Sequence, residues 1–327
     1  MKRRDFIALV GTVAMAPHVA IAQTPGKVYR LALVGPGGLL SPSEPFAKML
    51  LGGLAKLGYT PGQNLAFEGP RGAAGQPGQL ANLMKELKAA NVDVIVVYGY
   101  PTAIAAKAAG IPTVVAFGVG DPIATGLVVN LARPEGNITG ISDVATTLST
   151  KRLSLLKELL PKLHRVAMLW NKDDLGMSLR YDASAKAATA MVVDVQAVGV
   201  REPDDFNEAF AMMDREPPDA ILMVSDSLTM LNRKRVFDYA AMHRLPAIYE
   251  YDPLVREGGL MSYGPDLRES FDRAASMVDR IFKGAKPGDL PFEQPTRYLF
   301  VLNLKTAKSI GLEIPTTVLA LADDVVE

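Results

Sequence analysis

Cysteine is absent from this 327-residue chain, and histidine is nearly so, with only His18, His164 and His243. The first absence removes disulfides, thiolate metal sites, cysteine nucleophiles and iron–sulfur clusters together. The second leaves imidazole-based metal binding and triad chemistry poorly supplied. Net charge is missing too, because 35 Lys and Arg balance 35 Asp and Glu. A chain that tracks nucleic-acid phosphates normally carries a basic excess, so nucleic acid is not an expected partner. Aromatic residues amount to only 7% of the chain, so any crowding of them is informative. Enzyme motifs are scarce as well. The stretch Gly118-Val-Gly120-Asp-Pro-Ile123 lacks the last glycine of the dinucleotide fingerprint, and no P-loop, nucleophile elbow or His-Glu-x-x-His occurs. Acid pairs such as Asp173-Asp174 and Asp204-Asp205 read as solvated turns. An enzyme is therefore the least supported class, and no cofactor or metal is expected.

What is present begins with an export signal. Lys2, Arg3 and Arg4 precede an apolar run from Phe6 to Ala16, and Ala20-Ile21-Ala22 fits the small-x-small rule for cleavage before Gln23. The run is too short for a bilayer span, which needs about 20 apolar residues. Arg3-Arg4-Asp5-Phe6-Ile7 resembles a twin-arginine signal without the usual Ser or Thr before it, leaving the Tat and Sec routes both open. The expected product, with residues 1–22 removed, is a soluble periplasmic protein.

Beyond the signal, short apolar strands alternate with helices. The pattern predicts strands at Val28–Gly35, Leu65–Glu68, Val92–Tyr98 and Thr113–Phe117, with helices at Ser43–Leu57, Gln79–Ala90 and Thr102–Ala109. The same grammar restarts after Gly140. Strands are expected at Arg165–Trp170, Met191–Val198, Ala220–Val224, Pro246–Tyr251 and Leu260–Tyr263. Helices are expected at Lys151–Leu160, Tyr181–Ala190, Phe206–Asp214, Leu231–His243 and Leu267–Phe282. This alternation implies βαβ units, hence an α/β chain with two parallel sheets, each flanked by helices.

In open parallel sheets, ligands bind beyond the carboxyl ends of the strands. Six loops qualify: Gly35–Ser43, Tyr98–Thr102, Phe117–Pro122, Trp170–Asp174, Val224–Ser227 and Tyr249–Asp252. Ser41 and Ser43 precede the first helix and Tyr100 and Thr102 open the third, where free N–H groups and hydroxyls suit a carboxylate, or serve simply as caps. Tyr98, Tyr100, Phe117, Trp170, Tyr249, Tyr251 and Tyr263 crowd the same edge, either as core or as walls for an apolar or aromatic ligand. Asp121 and Asp226 stand at opposing strand ends, to pair a ligand ammonium or to cap the following turns.

At these residues the chain resembles the periplasmic substrate-binding proteins of ABC transporters, in the family often described as binding tryptophan and related aromatic ligands. The matching stretches are FAKMLLGGLAKLGYTPGQNLAFE, IPTVVAFGVGDPIATGLVVNLARPEGNITGIS, the run from GGLMSYGPDL to LKTAKSIGLEIP, and the tail LADDVVE. The resemblance implies a type I periplasmic-binding-protein fold with three crossovers at the hinge. Lobe 1 would comprise 27–140 plus 265–291, and lobe 2 141–264 plus 292–327. By position it implies ligand contacts in the Ser41 loop, at Tyr100–Thr102 and around Asp121, and in lobe 2 at Asn171, Asp226 and the Tyr249–Asp252 loop. The implied role is capture of a small ligand, an amino acid or aromatic carboxylate, for a membrane permease, by a monomer. The alternative is a periplasmic sensor of the same fold that signals to a membrane receptor.

Overall fold

The computed structural model describes residues 26–37, 44–73, 76–142 and 145–327. The export signal expected at 1–22, and Ser41 and Ser43, lie outside the described residues.

The two runs of short apolar segments become two sheets. The first contains β1 (Tyr29–Gly35), β2 (Leu65–Phe67), β3 (Arg71–Gly72), β4 (Val94–Tyr98), β5 (Thr113–Phe117) and β6 (Ile138–Gly140), in the order β2-β1-β4-β5-β6 with β3 beside the end of β1. All its pairings are parallel. The second contains β7 (Arg165–Asn171), β8 (Asp194–Val200), β9 (Ala220–Met223), β10 (Ala247–Tyr249), β11 (Met261–Pro265), β12 (Tyr298–Asn303) and β13 (Asp324–Val326), in the order β13-β12-β11-β10-β9-β7-β8.

Unbroken apolar strands are what a sheet covered on both faces requires. In β1, Leu31 and Leu33 join a core with the helices Pro45–Lys56 and Leu267–Phe282, while Ala32 and Val34 join the opposite core. The second sheet divides in the same way, with Val166 and Met168 on one face and Ala167 and Leu169 on the other. The period-2 geometry of a strand thus feeds four separate cores.

The helix Leu267–Phe282 follows β11 of the second sheet in sequence but packs on the first. Its buried Leu267, Phe271, Ala274, Ala275, Val278 and Phe282 form one stripe at helical spacing, and Asp266 caps its start by accepting from the Arg268 N–H. Each large side chain so buried contributes roughly 1.5–3 kcal/mol, which fixes this helix to a lobe that its neighbours in sequence do not belong to. The chain therefore crosses between lobes three times: after β6, after β11 and before β12. Two crossings are tied to each other where the Glu293 N–H donates to Gly140 O and the Ser142 N–H to Glu293 O.

The third crossing explains a feature not expected from the strand–helix alternation. β12 is antiparallel to β11, pairing Pro265 with Tyr298 and Met261 with Leu302. β11 leaves the sheet toward the hinge, and β12 re-enters from the hinge without a helical crossover, so it must run the other way. Boundaries also shift. The helix expected from Tyr181 starts at Leu175, the one expected from Thr102 starts at Tyr100, and β8 begins at Asp194.

Candidate functional site

Between the lobes lies a cavity of about 320 Å³. Lobe 1 lines it with Pro36, Glu44, Phe46, Tyr98, Gly99, Pro101, Phe117 and Leu267, and lobe 2 with Asp174, Ser225, Asp226, Met230, Arg233, Tyr251 and Glu257. The strand-end loops of both sheets converge here.

The lobe 1 wall is an aromatic cluster. The rings of Tyr98 and Phe117 stack 5.2 Å apart, and Phe46 stands edge-on to both at 5.1 Å. Tyr251 reaches across from lobe 2 to meet Phe117 edge-on at 5.3 Å. Phe46 is held from behind by Phe271 at 5.6 Å. Gly35 makes room for this arrangement, since a Cβ there would fall 2.1 Å from the Tyr98 ring. Such offset and edge-on contacts leave ring faces and edges available to a further ring.

Carboxylates supply the cavity's polar character. Asp174 caps the helix Leu175–Ala190, accepting from Met177 N–H at 3.2 Å, and is 2% exposed. Burial and the neighbouring charge of Asp226 push its pKa up to about 7, against the backbone donors of Met177 and Gly176. Asp226 caps the short helix Ser227–Leu231 in a reciprocal capping box with Thr229. Burial raises its pKa in spite of donors from Thr229 and Asn171. Glu44 caps Pro45–Lys56 through Phe46 and Ala47 N–H, and burial raises it too. The one cation on the described lining, Arg233, is bonded to Glu257 and to Met230 O. The described cavity thus holds three carboxylates that meet N–H groups, an amide and the Thr229 hydroxyl but no cation, and residues 38–43 add no ionisable side chain.

The sequence-predicted residues separate into three groups. Tyr98, Phe117, Asp226 and Tyr251 line the cavity. Asn171 and Tyr100 stand one step behind it. Asn171 donates to Asp226 at 2.6 Å and accepts from Asp173 N–H, while the Tyr100 hydroxyl donates to Thr125 O, with its Cβ 3.5 Å from where a Gly176 Cβ would be. Thr102, Asp121 and Tyr249 are not brought to the cavity. Thr102 is wholly buried within lobe 1. Asp121 caps its own turn through Ile123 and Ala124 N–H. Tyr249 is still inside β10 and turns toward Phe237 on the flank of lobe 2. Trp170, on the strand before Asn171, stacks on Tyr181 at 3.7 Å.

Three functional candidates escaped the sequence reading. Asp173-Asp174 read as a solvated turn, and only Asp173 is exposed. Glu44 takes the first helix start that the serine pattern offered to a ligand anion. Glu250, 1% exposed, is clamped by Arg152 at 3.0 Å and Arg180 at 2.7 Å and accepts from Ser225 N–H at 3.0 Å. Arg180 also bonds the Tyr251 hydroxyl, so this ion triad fixes both the Ser225–Asp226 loop and Tyr251 from below. The start of Tyr100–Ala109, whose cap position is Gly99, has no side-chain cap, and neither do the starts of Asp252–Arg256 and Arg233–His243, which also reach the lining.

Where the lobes touch, small residues face each other. A Cβ on Gly176 would stand 3.3 Å from Val119 O, and one on Gly120 would stand 3.6 Å from Gly176 Cα. Among the described residues no helix is long and apolar enough to cross a membrane.

Comparison with known proteins agrees with this architecture. A tyrosine-binding protein of Clostridioides difficile (strain R20291) is 24% identical over 258 residues, 78% of this chain and 73% of that protein. The crystal structure of a conserved domain protein from Vibrio cholerae O1 biovar El Tor superposes with a TM-score of 0.84 at 25% identity, over 91% of this chain and all of that one. A domain from Streptococcus pneumoniae in complex with L-Trp gives 0.81 at 24% identity, over 92% of this chain and all of that one. These folds are type I periplasmic-binding-protein folds, as the sequence resemblance implied. The family model for ABC transporter substrate binding proteins matches residues 46–326, and the chain belongs to that family of small-ligand binders.

Proposed function

We propose that this chain is the solute-binding component of an ABC importer and that its ligand is an aromatic amino acid, delivered from the periplasm to a membrane permease. The observation that carries this reading is the pairing, in one interlobe cavity, of the Phe46–Tyr98–Phe117–Tyr251 cluster with the buried carboxylates Asp174 and Asp226. An aromatic side chain fills the ring cluster, and its ammonium lies against the two acids. The uncapped helix start at Gly99 supplies N–H groups for the carboxylate. An aromatic acid without an amine leaves the acids unpaired, so the amino acid is preferred over the carboxylate alone. The names of the tyrosine-binding relative and of the L-Trp complex point the same way.

The lobes, taken as 27–140 plus 265–291 and 141–264 plus 292–327, close by bending at the three crossings. The ligand docks on the lobe 1 rings, and lobe 2 brings Asp174, Asp226 and Tyr251 over it. Closure is favoured only as far as the ligand binds the closed form better than the open one.

A thermal-shift screen of the mature protein tests this. At 100 times its dissociation constant, a ligand adds about 2.7 kcal/mol, a shift of several degrees. Tyrosine, tryptophan or phenylalanine should raise the Tm, and benzoate or 4-hydroxybenzoate should not. Stabilisation by the aromatic acids alone, or by nucleosides alone, overturns the assignment of the acids to an ammonium.

A further inference from the structure

We propose that lobe 2 carries a second small-molecule site, separate from the cleft, which takes a neutral ring-bearing compound with a single hydrogen-bond acceptor. A cavity of about 450 Å³ lies between the helix Arg233–His243 and the helix Leu304–Ser309, over β10 and β11. Its apolar lining comes from Phe237, Leu245, Ala247, Leu260 and Ile310.

Tyr249 stands among them, 1% exposed, with its ring edge-on to Phe237 at 5.3 Å. Among the described residues its hydroxyl has no hydrogen-bond partner. Burial alone raises its pKa, so it keeps its proton and offers a donor. The other polar side chains of the lining are engaged. Arg233 bonds Glu257, Lys234 bonds Asp238 at 2.8 Å, Thr306 donates to Gly258 O and Ser309 to Thr306 O. Each charged group is therefore paired, and the wall presents no net charge to a guest.

A donor that opens on the chamber with no protein partner gains from a guest's acceptor, and the apolar part of the wall, from Phe237 to Ile310, rewards a guest ring that displaces water from it. One acceptor on a neutral ring satisfies both. A carboxylate or an ammonium does not, because it would be desolvated without a counter-charge. The site differs from the cleft in this respect, whose acids call for a cation. It stands whether or not the cleft binds an aromatic amino acid. Arg233 and Glu257 also line the cleft, so their ion pair is a wall common to both chambers.

The probe is 4′-fluoroacetophenone, titrated into the full mature protein and followed by fluorine NMR, with 4-fluorotoluene as the ring that lacks an acceptor. Saturable binding of both to wild type is expected. Tyr249→Phe, which removes the donor and keeps the shape, should weaken the ketone at least fivefold and leave 4-fluorotoluene within twofold. Ala241→Trp, which fills the chamber, should abolish both, while Phe117→Trp in the cleft should change neither. The proposal fails if wild type shows no saturable binding or if Tyr249→Phe binds the ketone as wild type does. It also fails if Phe117→Trp rather than Ala241→Trp removes the signal, since the probe then sits in the cleft. The failure of the cleft reading, by contrast, would show in the amino-acid screen and leave these titrations unchanged.

Discussion

With the ammonium-bearing ligand proposed above, Asp174 couples binding to proton release. Its carboxyl is 2% exposed and beside Asp226, which together bring its pKa to about 7 rather than 3.8. An ammonium placed against it stabilises the charged form and draws the pKa back toward the ordinary range. With about 7 in the empty protein and about 4 in the complex, the observed Kd should weaken roughly 30-fold between pH 8 and pH 5.5, or about 2 kcal/mol. Stability of the empty protein runs the other way. An acid whose pKa is raised on folding favours the folded state most when protonated. That advantage, at most about 4 kcal/mol, is fully present below about pH 4 and is lost as pH rises through 7. Isothermal titration with tyrosine across this window, in buffers of different ionisation enthalpy, reads both the Kd and the proton released. Asp174→Asn should bind at least tenfold more weakly at pH 8 and lose the slope. Without ligand it should melt higher than wild type at pH 8. A wild-type Kd that is flat between pH 5.5 and 8, or a slope that survives in Asp174→Asn, refutes the reasoning.

Other substitutions read separate parts of the structure. Phe117→Ala removes the ring shared by Tyr98, Phe46 and Tyr251 and should weaken an aromatic ligand by at least tenfold in the same titration. Gly176→Val puts a branched side chain where even a Cβ would lie 3.2 Å from an Asp174 oxygen and 3.3 Å from Val119 O. It should hold the lobes apart, giving a larger radius of gyration in solution scattering with ligand present and at least tenfold weaker binding. Glu250→Gln leaves two buried guanidinium groups without a charge partner and should cost about 3–5 kcal/mol in urea denaturation. Phe271→Ala empties the core between the helix Leu267–Phe282 and the first sheet and should cost about 3–5 kcal/mol with an unchanged m-value.

The fold was legible where burial leaves no alternative. Strands such as Val94–Tyr98, covered on both faces, must be apolar throughout, so β1, β4, β5, β7 and β9 stand out as runs. β12, Tyr298–Asn303, is as apolar a run as these yet was not among the expected strands, while β13 is only three residues long and starts at the exposed Asp324. The cleft's place was legible from the rule that ligands meet strand ends, yet that rule selects loops and not side chains. Tyr249 and Tyr251 belong to one such loop. One residue of strand separates a side chain turned into the flank from one carried over the edge. Thr102 was misplaced for a related reason, since the helix begins at Tyr100 and its third residue already faces inward.

The missed acids share a cause. Leu175-Gly176-Met177-Ser178 reads as loop because glycine and serine lower helix propensity, so the helix was expected at Tyr181 and Asp174 was not seen as its cap. Here the glycine is retained for a contact between lobes rather than for a turn. Glu44 was hidden behind Ser43 in the same way. Once placed, these caps carry an argument of their own. Glu44, Asp174 and Asp226 each accept N–H groups from the start of a helix, an arrangement that lowers a carboxyl pKa on an exposed helix. All three are nevertheless raised, with burial as the largest cause. The helix dipoles therefore do not offset the desolvation of these acids in the empty cleft, and what would offset the remainder is positive charge. On the reading proposed above, that charge arrives with the ligand, and the cost of burying the acids sets how strongly a cationic group is preferred over a neutral one.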